Sequence, residues 1–164
     1  MRLIPAIDLK NGYCVRLLHG DFSAETRYGT DPEALLVKYR NLGADWLHVV
    51  DLDGAKEGIL GNGASIERLA AQKAVKLQVG GGLRDTAAVA RMLELGAARV
   101  VIGSAAVTHV EQTRAWLEQF GPERVTLAFD VRLDDDGTPR IQTHGWQRRS
   151  DLSLWSAVAN FAGS

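Results

Sequence analysis

Residues 77–97 read LQVGGGLRDTAAVARMLELGA, and the fold turns on how this stretch is divided. Leu77 to Val79 close a short apolar run of the kind that forms a buried strand. Three glycines, Gly80, Gly81 and Gly82, stop it. After Arg84 an amphipathic segment begins, with Asp85 placed as an N-cap and Gly96 as a stop. The stretch therefore predicts a strand, a tight turn and a helix, in that order.

The same plan recurs along the chain. RLIPAIDL, WLHVVDL, VKLQVGGG, RVVIGSA and RVTLAFDV are short Val/Ile/Leu-rich runs, suited to strands covered on both faces. Between them lie DPEALLVKYRNLGA, with Asp31 as cap, Pro32 at the first helical position and Gly43 as stop, and the shorter SIERLAAQ. A further helix is expected from Thr108 to Gly121, and LSLWSAVANFAGS reads as the last. Alternating strands and helices imply parallel βαβ units with right-handed crossovers. Polar or glycine residues stand at the carboxyl end of successive strands: Asp8, Asp51, Gly80 to Gly82, Gly103 with Ser104, and Asp130. That repetition favours a (β/α)8 barrel, whose strand ends converge on one face, over an open sheet with a single switch point. Five strand runs are present where a barrel has eight. The expectation is that residues 1–164 are the amino-terminal part of a single (β/α)8 barrel domain, carrying about its first five βα units.

Composition narrows the function. The 164 residues are 46% hydrophobic and 24% charged, with a formal net charge of -1, which offers nothing to nucleic acid or an acidic membrane surface. No apolar stretch approaches the roughly 20 residues of a membrane span. Cys14 is the only cysteine, so no internal disulfide forms and a reducing cytoplasm is the expected compartment. The four histidines, His19, His48, His109 and His144, lack a zinc spacing, and no metal is expected.

Chemistry is expected at the strand ends. VGGGLRD brings unobstructed backbone N–H groups beside a helix start, a cradle for a phosphate; VVIGSAAV repeats the form with Gly103 and Ser104. Neither the dinucleotide fingerprint nor the Walker pattern is present. Asp8 and Asp130 end apolar runs, where an ionised carboxyl is costly unless it is hydrogen-bonded or functional. As a pair they suit general acid and base work. Asp51 fits a role in orienting loops, and His48 that of a buried, hydrogen-bonded core residue. LDDDGTPR, residues 133–140, reads as a solvated turn, with Asp136-Gly137 closing a hairpin between FDVRL and RIQTHGW. Trp146 would stack on a heteroaromatic substrate or anchor its loop; Arg84 would meet an anion or a surface carboxylate.

IPAIDLKNGYCVRL, GDFSAETRYGTDPEAL, GADWLHVVDLDGA, LQVGGGLR, ARVVIGSAAV, LAFDVR and HGWQ together resemble the phosphoribosylformimino-aminoimidazole carboxamide ribotide isomerases of histidine biosynthesis. The resemblance implies a cofactor-free, metal-free barrel enzyme. It would act on a small ribotide with a phosphate at each end and carry out an Amadori rearrangement of aminoaldose to aminoketose. It implies Asp8 as proton acceptor and Asp130 as proton donor. Gly80, Gly81, Gly82, Gly103 and Ser104 would form one phosphate site, with Arg84 and Trp146 as substrate contacts. The related cyclase subunit of imidazole glycerol phosphate synthase is the alternative. It usually carries Cys where Ile7 stands and an NTAA-type run where this chain has GSAA. The family has three further βα units with the second phosphate site, so the 164-residue chain alone is expected to be inactive. A third reading is a non-catalytic barrel fragment that self-associates through its sheet edges.

Overall fold

A computed structural model describes residues 3–18, 20–29, 31–143 and 148–163. The chain forms two compact units, Met1–Val100 and Val101–Ser164.

The first unit opens with β1 (Ala6–Lys10), β2 (Tyr13–Leu18) and β3 (Asp21–Arg27). Helix α1 (Pro32–Asn41) follows, then β4 (Trp46–Asp51), α2 (Leu52–Glu57), α3 (Gly63–Ala71), β5 (Lys76–Gly80), α4 (Thr86–Glu94) and β6 (Arg99–Ile102), which runs into the second unit. The sheet order is β3-β2-β1-β4-β5-β6. β1 pairs parallel with β4, and β4 with β5. β2 and β3 form an antiparallel ribbon added to the β1 edge; no strand was expected there, because CVRLL and DFSAETR mix charge into short apolar runs. The predicted caps hold. The Asp31 carboxylate accepts from the Glu33 N–H (3.4 Å) with Pro32 opening α1, and Asp85 accepts from the Ala88 N–H (2.8 Å) at the start of α4.

Strand alternation gives this sheet two unlike faces. Ile7, Leu9, Leu47, Val49, Leu77, Val79 and Val100 are buried, as are Leu36 of α1, Ile66 and Leu69 of α3, and Val89 and Met92 of α4. Together they form the apolar core. On the other face stand Asp8, Lys10, Trp46, His48, Gln78 and Arg99, all partly exposed.

The second unit contains α5 (Ser104–Thr108), α6 (Val110–Phe120), β7 (Val125–Leu127), β8 (Val131–Leu133), β9 (Pro139–Thr143), β10 (Arg148–Ser153) and α7 (Leu154–Ala159). The single helix expected from Thr108 begins instead at Val110, with α5 as a separate turn before it. The end of β6 holds β7 through the Ala128 N–H to the Ile102 carbonyl (2.8 Å). β8 and β9 make the predicted hairpin, with Gly137 in the left-handed region and the Thr138 N–H bonded to the Asp136 carboxylate (2.9 Å). β10 extends it to three antiparallel strands. Trp116, Leu117, Val125, Ile141 and Ala157 are buried in this unit.

The architecture is therefore α/β, a mostly parallel sheet with helices, consistent with part of the (β/α)8 barrel expected from the sequence. Among the described residues no helix is long and apolar enough to cross a membrane.

Candidate active site

Asp8 lies in the middle of β1 rather than at its end, opposite Val15 on β2 and Val50 on β4. It is half-buried and borders a cleft of about 400 Å³ lined also by Arg16, Tyr28, Lys38 and Tyr39. Burial pushes its carboxyl above the ordinary value, while the nearby His48 and Arg16 pull in the opposite direction. His48 is held below its usual range, chiefly by burial, and its Nδ1 lies 3.1 Å from Gln78 Nε2. The histidine is hydrogen-bonded as expected, but it stands partly exposed on the face that carries Asp8 rather than in the apolar core.

Asp130 sits in the second unit between β7 and β8, its backbone carbonyl accepting from the Gln142 N–H (2.7 Å). The residue is exposed overall, yet partial desolvation still draws its carboxyl upward. The two carboxyls differ in surroundings. Desolvation is the largest influence on both, but at Asp8 the nearby His48 and Arg16 oppose it, while Asp130 has no such opposing influence.

Asp51 is fully buried and serves as a tie point. Its Oδ1 accepts from the Gly54 N–H (3.0 Å) and Asn62 Nδ2 (2.6 Å), and its Oδ2 from the N–H groups of Gly61 (2.8 Å) and Asn62 (3.1 Å). Asn62 also donates to Asp53 (2.8 Å) and the Leu9 carbonyl (3.3 Å), and its Oδ1 accepts from the Gly12 N–H (2.8 Å). Asp53 takes the neighbouring Asn11 N–H (2.6 Å). The β1–β2 turn is thereby fastened to the loops after β4, the loop-orienting role anticipated for Asp51. Asn62 was missed: it reads as an N-cap for α3, but its side chain makes no cap bond.

Two glycines of the triplet have a packing cause. Gly80 closes β5 beside Val50. Gly81 has φ +107°, and a Cβ there would overlap the Asp51 carbonyl oxygen; at Gly82, with φ +74°, it would lie 2.5 Å from the Gly54 carbonyl oxygen. Only glycine admits backbone against backbone at this distance. Arg84 is tied to the backbone of α2. Its Nη2 donates to the Ala55 carbonyl (2.9 Å), so the exposed cation covers the C-terminal end of α2. In the second unit Gly103 precedes α5, and a Cβ there would find nothing nearer than the Ala128 carbonyl at 4.0 Å. Ser104, exposed, opens that helix. Trp146 lies outside the described residues. Gly80 to Gly82 and Arg84 thus come together with Asp51 in the first unit, while Gly103, Ser104 and Asp130 belong to the second. Among the described residues no group of three or more His, Cys, Asp or Glu side chains is arranged to hold a metal ion.

Comparison with known proteins adds relatives to this geometry. A family model described as "Histidine biosynthesis protein" matches residues 2–164. A protein of Alteromonas mediterranea named 1-(5-phosphoribosyl)-5-((5-phosphoribosylamino)methylideneamino)imidazole-4-carboxamide isomerase is 43% identical over 160 residues, covering 98% of this chain. Proteins of the same name from Photobacterium profundum and Klebsiella pneumoniae are 43% and 45% identical over 159 residues, each match covering 97% of the chain. The chain spans 65% of the length of each of these three curated relatives. A match through both units, at this identity to several isomerases, places the chain in the histidine biosynthesis protein family.

Proposed function

We propose that the complete protein is an aldose–ketose isomerase acting on a bis-phosphorylated ribotide, with Asp8 as base and Asp130 as acid. The observation that supports these roles is the contrast between the two carboxyls. Burial raises both carboxyls; at Asp130 nothing opposes it, which suits a group that must hold a proton, whereas at Asp8 the neighbouring His48 and Arg16 pull back toward the ionised form. The identity to proteins named as isomerases supplies the substrate class.

In this reading Asp130 gives its proton to the ribose ring oxygen as the C1–O bond breaks and the amine nitrogen forms the C=N bond of a Schiff base. Asp8 removes the proton from C2, and the resulting enol form tautomerises to the ketose. Backbone N–H groups at Gly80 to Gly82, and Gly103 with Ser104, would bind phosphate. Arg84 and Trp146 would contact substrate, Arg84 from the exposed end of α2. The five βα units would belong to one barrel domain, since the family match runs through both compact units. A cytoplasmic setting accords with a single, buried, unpaired cysteine.

The test is the isomerase assay on the complete protein and its Asp8→Asn and Asp130→Asn variants. Each substitution should lower kcat at least ~100-fold, the scale of lost acid–base catalysis, with KM changed only a few-fold. Turnover within ~10-fold of the parent in either variant would remove that residue's assigned role. Cyclisation of the ketose in place of its formation would point to the sister activity.

A further inference from the structure

On the polar face of the first unit four side chains from three adjacent strands form one connected row. Arg99 on β6 donates through Nε (2.8 Å) and Nη2 (2.5 Å) to Gln78 Oε1 on β5. Gln78 Nε2 lies 3.1 Å from His48 Nδ1 on β4. The Arg99 guanidinium also rests over the Trp46 ring, 4.3 Å from its centroid, with Lys76 Nζ at 5.7 Å. Register places these groups together: Trp46 faces Lys76, His48 faces Gln78, and on the other side of β4 Ala6 faces His48, two residues from Asp8.

The chemistry of the row runs in one direction. A guanidinium has donors and no acceptor, so the Gln78 amide must turn its oxygen toward Arg99. Stacking on Trp46 holds the guanidinium in place. The amide NH2 is then aimed at His48, and an NH2 can only donate. His48 Nδ1 must therefore offer a lone pair, which puts the proton of the neutral ring on Nε2. An imidazolium would set an Nδ1–H against the amide NH2, donor against donor. The opposite tautomer would do the same.

We propose that Gln78 and Arg99 are positioning residues that lock His48 as the neutral Nε2–H tautomer, making it a neutral hydrogen-bond donor rather than a cation on the face it shares with Asp8. The catalytic consequence rests on the reading of Asp8 as the base. A neutral donor stabilises a carboxylate without the strong loss of basicity that an adjacent full positive charge would cause. The charged and polar groups around His48 are Asp8 on β1, Gln78 on β5 and Arg99 on β6; around Asp8 they are His48, Arg16 of β2 and, lining the same cleft, Tyr28 with Lys38 and Tyr39 of α1. Lys10, on the same face, is ion-paired with Glu25 at 2.6 Å.

The tautomer is read directly from long-range 15N–1H correlation spectra of the full chain labelled in histidine nitrogen, with the His48 signals assigned by their loss in His48→Gln. The expected result at pH 7.5 is an unprotonated Nδ1 and a protonated Nε2. Gln78→Glu replaces the NH2 donor with an acceptor and should move a proton onto Nδ1. Arg99→Met frees the amide to turn and should give a mixture. A protonated Nδ1 in the parent chain overturns the proposal, whether or not the variants fold. So does a His48 signal that both folded variants leave unchanged. In the complete, active protein Gln78→Glu should shift the acid limb of the pH–kcat profile with KM little altered; an unmoved limb would sever the row from Asp8. The nitrogen spectra require no turnover, so failure of the isomerase reading and failure of the tautomer lock give different results.

Discussion

Asp51→Asn is a change of one atom, and the structure makes it expensive. Each Asp51 carboxylate oxygen accepts two hydrogen bonds, and all four donors are N–H groups: Gly54, Gly61, Asn62 and the Asn62 amide. An asparagine amide has one oxygen and one NH2. Whichever way it turns, two donors meet another donor. Hydrogen bonds to a charged acceptor contribute ~1.5–3 kcal/mol each, so losing two predicts a destabilisation of ~3–6 kcal/mol. A domain's whole stability is ~5–15 kcal/mol. The site is fully buried, so water is not at hand to replace the lost acceptor. The assay is urea unfolding followed by far-ultraviolet circular dichroism. With a slope of ~1–3 kcal/mol per molar, the midpoint should fall by at least ~1 M without a change in slope. Asp51→Ala, which strands all four donors, should cost no less. A loss below ~1 kcal/mol for Asp51→Asn, under the value of a single such bond, would refute the claim that this carboxylate holds the loops together.

Three further outcomes are expected. Gly81→Ala should destabilise the chain by roughly 2–5 kcal/mol, combining left-handed strain with overlap against Asp51 main-chain atoms that cannot rotate away; a thermal midpoint within 2 °C of the parent, well under the ~2–4 °C per kcal/mol for a chain of this size, would contradict it. Asp8 has a folded pKa above its ordinary 3.8, so its contribution favours folding below that value and is lost as pH rises through the raised one. Asp8→Asn should therefore be more stable than the parent at pH 7, the gap closing toward pH 4; urea midpoints at both pH values check the sign. The Cys14 thiol is buried and pushed up to about 11, so a thiol reagent at pH 8 should modify it at the rate of unfolding, and equal rates with and without urea would disprove its protection.

The parallel framework was legible because its signals are local. Asp31-Pro32 and Asp85 cap helices through their own side chains, Gly43, Gly96 and Gly121 follow α1, α4 and α6, and Asp136-Gly137 turns a hairpin within a few residues. What escaped depends on partners far along the chain. β2 and β3 are strands because each pairs with a neighbour, not because either has a clean apolar alternation. The Gly81 and Gly82 requirement comes from Asp51 and Gly54, about 30 residues earlier. The glycines were read toward a ligand; their packing against the β4 loop explains two of the three without one. Asn62 reaches Leu9 and Gly12, and nothing in GNGAS announces that. Asp8, Asp51 and Asp130 could be singled out, since acids in apolar runs are conspicuous, but the sequence could not show that His48 is linked through Gln78 to Arg99.

The alternation along β4 also guards the chain against misassembly. Leu47 and Val49 are fully buried between Trp46, His48 and Val50, which are not. Sliding β4 by one residue would turn the indole and imidazole into the apolar core and bring leucine and valine out beside Gln78 and Asp8. Because β4 is paired on both sides, Ala6 opposite His48 and His48 opposite Gln78, such a slip would be penalised along two seams at once. A nascent sheet in which β4 docks one notch out of place would expose greasy surface and take Trp46 away from Arg99 and His48 away from Gln78. The row of side chains on that face thus doubles as an alignment key, rejecting wrong pairings during folding.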